Sequence, residues 1–529
     1  MTLRRALPGF LLACLVLTSC QPHPRADLVL CNGAEPQTLD PALVSGQLEG
    51  RLCATLYEGL TRKDPKGKPV PGVAEKWSVS SDGRTYTFTL RENLQWSNGD
   101  PLTAEDFRYS WLRALSPTTA SPYAEILFFI DGAEDYHSGR TGQETVGIRV
   151  VDPSTLEVKL RHPTPFFPSL ITFTTYLPVH RATVEKFGDR WTRPEHWVGN
   201  GPYGLLDWKI NDRVSLVKNP KYHHPENIQL TRIDALSIAR ASTAFNLYYS
   251  GQADLLLDKG MIPSLILPQL RGRLDFHPGP LLATYFYRFN VTRPPFNDPR
   301  VRRAFALAID KEAITEKVTR GGEPIAQALT PRGINGYQPP EGLSRDVETA
   351  RGLLRQAGYP DGQGFPRVSI LYNKSELNEQ IAIEIQAQWR RDLGIEVDLR
   401  NQEWATYLRS LDELDFDIAR SSWVGDYDDP NTFLDCFITG RGNNRTGWSD
   451  SRYDSLLASA LAEPNPARRF QILHQAESLL VTEALPIFPI YHFVGVLMFN
   501  PDRWDGLYPN LLDEHPLAEI KPRGARSSK

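Results

Sequence analysis

The sequence is poor in the residues that build metal centres and crosslinks. Five cysteines occur in 529 residues, with no CxxC pair and no Cys/His spacing of the kind that holds zinc. It also lacks HExxH, GxSxG and a phosphate-binding glycine loop, which removes the common zinc-hydrolase, serine-hydrolase and nucleotide-hydrolysing classes. Positive charge is not in excess: 59 Lys and Arg face 63 Asp and Glu, for a net charge of −4, which argues against nucleic acid as a partner. No fixed-period repeat or low-complexity tract is present, so the chain is not a solenoid or an array.

What is there begins with Arg4 and Arg5 ahead of an apolar run from Ala6 to Leu17. That run falls short of the roughly 20 apolar residues that cross a bilayer and carries Pro8 and Gly9, so it reads as an export signal. It ends in Leu17-Thr18-Ser19-Cys20, which resembles the bacterial lipobox; Cys20 is then the first mature residue and the lipidated one. Two or more acyl chains, at about 0.8 kcal/mol per buried methylene, hold a protein on a bilayer without a spanning helix. The alternative is a plain secretory signal with a chance cysteine. Residues 21–25, polar and containing two prolines, suit a tether. Loss of residues 1–19 shifts the net charge to −6 and leaves Cys31, Cys53 and Cys436 as the structural cysteines, so at most one disulfide forms.

About 510 remaining residues exceed what one core organises, and two or three domains are expected. Strand and helix patterns alternate. Thr85–Leu90 has period two, Ser97–Asp100 is a turn, and Thr103 caps a helix with Asp106 at its third position and Phe107, Trp111 and Leu115 on one face. Asp298-Pro299 opens a helix with Val301, Phe305, Ala308 and Ile309 buried. A helix over Val347–Ala357 is closed by Gly358, Val368–Tyr372 is a strand, Asn378–Leu393 a helix stopped by Gly394, and Ile395–Leu399 a strand. This is an α/β layer pattern.

Three isolated features invite a catalytic reading and fail. Ser215 and Lys218 match SxxK, but Val214–Lys218 alternates as a strand and sends positions three apart to opposite faces. His223 and His224 precede Pro225 in what reads as a solvated loop. Cys436 has no base beside it and reads as a buried structural thiol. No enzyme activity and no cofactor are expected.

Several ordered segments resemble the oligopeptide-binding branch of the peptide- and nickel-type solute-binding proteins of ABC transporters (family 5). They are Asn32–Pro41 (NGAEPQTLDP), Leu56–Leu60 (LYEGL), Pro71–Trp77 (PGVAEKW), Phe88–Asn93 (FTLREN), Trp96–Phe107 (WSNGDPLTAEDF), Pro295–Arg302 (PFNDPRVR) and Phe416–Pro430. The resemblance implies a bilobed periplasmic-binding-protein-like α/β fold (type II) with an additional domain, three in all. The expected division is a signal peptide 1–19, a tether 20–27, domain I in parts 28–57, 184–282 and 493–529, domain II 58–183 and domain III 283–492. It further implies a monomer that takes short peptides and hands them to permease and ATPase subunits on the outer side of a bacterial membrane.

The same resemblance implies site residues. Asp426 stands at the clamp for a ligand α-ammonium. Arg420 stands at a carboxylate-binding position, and by period two it projects from the apolar face of Phe416 and Ile418; the alternatives to a ligand carboxylate are Asp417, Asp398 or Glu403. Ser45, Gly46 and Gln47, with Ser422, Trp423 and Val424, correspond to backbone contacts. Tyr123, Trp404, Trp423 and Tyr491 match or neighbour side-chain pockets, core packing being the plainer reading of each. Departures occur at Leu411, Asn378 and Leu257, where relatives carry Arg, His and Tyr, and at Val424 and Leu282–Tyr285, which lack the cysteines of a cleft disulfide. Within the same fold a murein-peptide or metal-chelate receptor is the first rival; a signalling or chaperone-like lipoprotein is the second, and a hydrolase the third.

Overall fold

The computed structural model describes residues 25–440 and 443–524. Its backbone is one ten-stranded sheet. In chain order the strands are β1 (Leu28–Gly33), β2 (Tyr203–Lys209), β3 (Arg213–Lys218), β4 (Arg232–Ser237), β5 (Leu255–Leu256), β6 (Phe276–Phe289), β7 (Val368–Asn373), β8 (Val397–Gln402), β9 (Ile418–Val424) and β10 (Ile487–Phe499). Their spatial order is β8-β7-β9-β6-β10-β5-β1-β4-β3-β2.

The long strands β6 and β10 are antiparallel and run through both lobes. At one end, Leu255 and Leu256 of β5 pair with Phe499 and Met498 of β10. At the other, β6 pairs with β9 from Ala283 to Phe289. Between these ends the register of β6 against β10 shifts, from Pro280 opposite Val494 to Thr284 opposite His492. Helices Pro299–Leu307, Val347–Gln356 and Glu376–Leu393 cover the C-terminal lobe, burying Phe305, Leu354, Ile385 and Trp389 against strand residues Ile370, Ile418 and Phe488.

A separate four-stranded antiparallel sheet (Ala74–Val79, Thr85–Leu90, Thr155–Lys159, Ile148–Asp152) carries the helix Ala104–Leu115 and forms the additional domain. The helix starts as expected: the Thr103 N–H donates to the Asp106 carboxylate at 2.8 Å, and Phe107, Trp111 and Leu115 are fully buried. Ion pairs fasten this domain to its neighbours: Arg113 to Asp40, Lys63 to Glu514 (2.6 Å) and Arg62 to Glu519 (2.8 Å).

Local differences from the sequence reading have local causes. Ser375 caps the third helix, so it begins at Glu376 rather than Asn378. Ile395 is spent leaving that helix, its N–H returning to the Trp389 carbonyl, so the next strand starts at Val397. Gly394 takes φ 70°, the left-handed conformation that ends a helix. His223 is not solvated: its Nε2 lies 2.5 Å from a Glu58 oxygen and its side chain is largely buried. Ser215 and Lys218 bond different partners, the Asp234 carboxylate and the Ile228 carbonyl. Among the described residues no group of His, Cys, Asp and Glu could hold a metal, and no helix is long and apolar enough to cross a membrane.

Candidate functional site

The site is built on the far half of β9. In an antiparallel ladder, alternate residues turn both N–H and C=O toward the partner strand, and those between turn both away. Asn290 donates to the Asp417 carbonyl (2.9 Å) and Gly425 to the Leu282 carbonyl (2.7 Å). These bonds fix the phase: Ala419, Ser421 and Trp423 face β6, while Arg420, Ser422 and Val424 face outward. On that outer side β7 pairs only with Ile418 and Ala419; its last residues, Tyr372 and Asn373, pair with β8 alone before the chain turns into the helix capped by Ser375. The Arg420 carbonyl takes the Tyr407 hydroxyl. Ser422 and Val424 are left with main-chain groups on an unpaired edge, Val424 being 58% exposed.

Each end of this edge carries one charge. At the inner end the Arg420 guanidinium lies over the Tyr285 ring at 4.7 Å and donates from Nη1 to Asn373 Oδ1 at 3.2 Å. Its Nε is buried without a partner among the described residues. The three carboxylates that compete for it in the sequence are engaged elsewhere: Asp417 with Arg293, Asp398 with Arg367, Glu403 with Lys374. A guanidinium removed from water with no anion beside it is a strong cation in need of one.

At the outer end Gly425 permits a tight turn, since a Cβ there would stand 2.6 Å from Leu282 Cδ2. Asp426 follows, half-buried, with its N–H donating to Thr432 Oγ1 at 3.1 Å. Its carboxylate makes no hydrogen bond or ion pair among the described residues. Burial pushes its pKa up from 3.8 to about 6. The acidic run resolves into different roles. Asp429 is locked by two 2.7 Å bonds to buried Arg469, and Asp428 accepts the Asn335 amide on its carbonyl.

The remaining candidates divide. Tyr123 is half-buried against Phe173 (5.1 Å), and the Asp426 charge acts on it. Trp404, 56% exposed, stacks on Tyr407 at 5.5 Å and so stands beside the Arg420 end. Tyr491 is core, 1% exposed and stacked on Tyr285 at 4.9 Å. Trp423 points to the sheet face opposite Arg420 and Ser422, half-buried, with no partner for its Nε1 among the described residues. Ser45 is exposed, Gly46 precedes the helix Gln47–Leu56, and the Gln47 amide donates to the Asp513 carbonyl at 3.1 Å. A Cβ on Gly46 would meet the end of the Glu49 side chain at 2.1 Å, which would have to swing aside.

Leu411 and Leu257 are buried, and Leu411 packs with Leu371, Tyr407 and Phe416. Asn378 is a support missed in the sequence. It accepts from the Tyr285 hydroxyl (3.2 Å) and donates to Asn373 Oδ1 (3.0 Å), propping both neighbours of Arg420. Val424 stands opposite Ala283, and Cys31, Cys53 and Cys436 are free and buried. Two cavities lie elsewhere: one of about 450 Å³ around Tyr248, Asp254 and Arg503, another of about 650 Å³ around Lys68, Arg332 and Asp428. Neither is lined by Arg420 or Asp426; their site is an open edge.

Two lobes joined by shared strands, with an exposed strand edge between two charges that have no ion-pair partner among the described residues, are the architecture of a solute-binding protein of the extracytoplasmic receptor class. The chain belongs to the bacterial extracellular solute-binding proteins, family 5, whose model matches residues 68–445. It is a binding protein and not an enzyme. It is 36% identical over 491 residues to the periplasmic oligopeptide-binding protein OppA of Escherichia coli K12, covering 91% of this chain and 89% of that one. A probable deoxycholate-binding periplasmic protein of the same organism, YgiS, is 36% identical over 485 residues, covering 89% and 88%. Among solved structures, the unliganded open form of the murein tripeptide-binding protein MppA of E. coli superposes with a TM-score of 0.83 at 36% identity, covering 94% of this chain and 97% of that one.

Proposed function

We propose that this protein captures short peptides with a free α-amino group and delivers them to an ABC transporter permease. The supporting observation is the free edge at Ser422 and Val424 between a guanidinium and a carboxylate that have no ion-pair partner among the described residues. A peptide offers every receptor the same three things: main-chain bonds, an ammonium and a carboxylate. The edge supplies the first by strand addition, Asp426 takes the second and Arg420 the third. The two residues are six apart, at most about 20 Å of extended chain.

A bile-acid-like ligand has an anion for Arg420 but no cation for Asp426 and no peptide groups for the edge. A murein peptide fits to the extent that it keeps its amine. Calorimetry of ligand-free refolded protein against peptide pools, with deoxycholate in parallel, tests the reading. Peptide binding is expected; silence toward every pool, or binding of deoxycholate alone, sinks it.

In this reading the lobes divide near residues 282 and 492, where β6 and β10 change register, and close about that hinge on the ligand. Domain II spans 58–183. Cys20, outside the described residues, carries the lipid anchor, and Arg25, five residues on, is ion-paired to Asp254 at 2.9 Å. Metabolic labelling with a fatty acid checks the anchor: label present in wild type and absent in Cys20→Ser is the expected result.

A further inference from the structure

The residue that follows the ammonium clamp belongs, by packing, to another domain. Tyr427 is 5% exposed and joins the core of the additional domain; among the described residues it is the one buried member of that core from beyond residue 176. Its ring stacks on Phe166 at 4.6 Å and 7°, with Phe129 edge-on at 6.3 Å. Its hydroxyl accepts from the Asn431 amide at 3.0 Å. Arg469, held by Asp429, lies over the other partner, Phe166, at 5.5 Å. The short loop from Gly425 to Asn431 is therefore fixed twice: from its own lobe by Thr432 and Arg469, and from the facing domain by an aromatic seat.

Asp426 immediately precedes Tyr427 in the chain and lies between these two fixings. Offset aromatic stacking contributes about 0.5–1.5 kcal/mol beyond the area it buries, and its geometry is specific. A carboxylate that recognises an ammonium needs both nearness and exclusion of water, because the same charge pair is far weaker in bulk solvent. Tyr123, half-buried and stacked on Phe173 of the domain that seats Tyr427, feels the Asp426 charge.

We infer that Tyr427 is a positioning residue that makes recognition of the ligand amine depend on contact between the domains, with Phe166 as its counterpart across the cleft. This rests on the peptide-receptor reading. The ring brings no group to the ligand; it holds the Asp426 loop against the facing domain through Phe166. Amine recognition and domain contact then reinforce each other, since whatever one contributes to the other is returned in equal measure.

The test compares one short peptide with its N-acetylated form, by calorimetry, on the full chain. Wild type is expected to prefer the free amine by roughly tenfold or more, as a charge-assisted bond would give. Tyr427→Leu should reduce the preference to about threefold or less, mainly by weakening the free-amine peptide. Tyr427→Phe keeps the stack and should keep the preference. Phe166→Leu, in the other domain and away from the ligand, should act as Tyr427→Leu does, and the double variant should add little. A purely structural role predicts something else: both peptides weaken by one factor and the ratio stays at its wild-type value. That outcome, or an unchanged ratio in a folded Phe166→Leu protein where Tyr427→Leu fails to fold, overturns the inference. A wild-type chain that binds neither peptide overturns the peptide reading, and this inference with it, before any variant is compared.

Discussion

Asp426 and Arg420 are legible as residues and not as a pair until their partners are accounted for. Asp426 is a carboxylate whose ionised form is disfavoured by burial and has no cation beside it. In the proposed role, an incoming ammonium must find it ionised. Peptide affinity is therefore expected to be flat above pH 6 and to fall by up to about tenfold per unit below it. Titration calorimetry from pH 4.5 to 8 reads this. Asp426→Asn should weaken binding by about 1.5–3 kcal/mol and flatten the profile. Arg420→Met should erase a preference for a free over an amidated C-terminus, measured with matched peptides. The sequence alone leaves Arg420 with three rival carboxylates; only the fold shows each occupied, because Arg293, Arg367 and Lys374 arrive from elsewhere in the chain.

At the scale of elements, the outward phase of Ser422 and Val424 gives a sharper prediction. Proline removes an N–H, which is costly inside a ladder and tolerable on an edge. Ser422→Pro should leave the melting temperature nearly unchanged and lose peptide affinity, whereas Trp423→Pro, facing β6, should destabilise the lobe. Thermal melts beside calorimetry separate the two. Elements with local signatures were readable: Thr103 and Asp106 cap the expected helix, and Phe107, Trp111 and Leu115 line its buried face. The free edge was not, since it depends on where β7 stops pairing. Nor was the seat of Tyr427, whose aromatic neighbours lie more than 250 residues away in sequence. Gly46 shows another case: a glycine plausible for ligand approach stands at the N-cap of a helix, where the Glu49 carboxylate occupies the space a Cβ would take.

Across the whole molecule, buried carboxyls set the response to pH. Glu477 is fully buried beneath the Tyr337 hydroxyl and the Thr330 N–H, and burial raises its pKa from 4.5 to about 7. Asp428, also pressed by Asp429, rises to about 6, as Asp426 does. For each, the folded state holds the proton more tightly than the unfolded chain. Their contribution to stability is thus full below the unfolded pKa near 4 and is lost as pH rises through 6 to 7. Denaturant melts should show the ligand-free protein losing stability over that window, and Glu477→Gln should flatten the upper part. Saturating peptide should offset the Asp426 share, since the ammonium favours the ionised form.

The shared strands also govern when the protein can fold. Strand β5, at residues 255–256, finds its outer partner only in β10, whose last residues lie more than 240 positions later. The N-terminal lobe cannot complete its sheet until nearly the whole chain is available, and pairings so distant in sequence form slowly. A polypeptide built this way stays incomplete while it is being made, because β5 lacks its second neighbour until β10 emerges. The last strand of the large sheet serves as the timer.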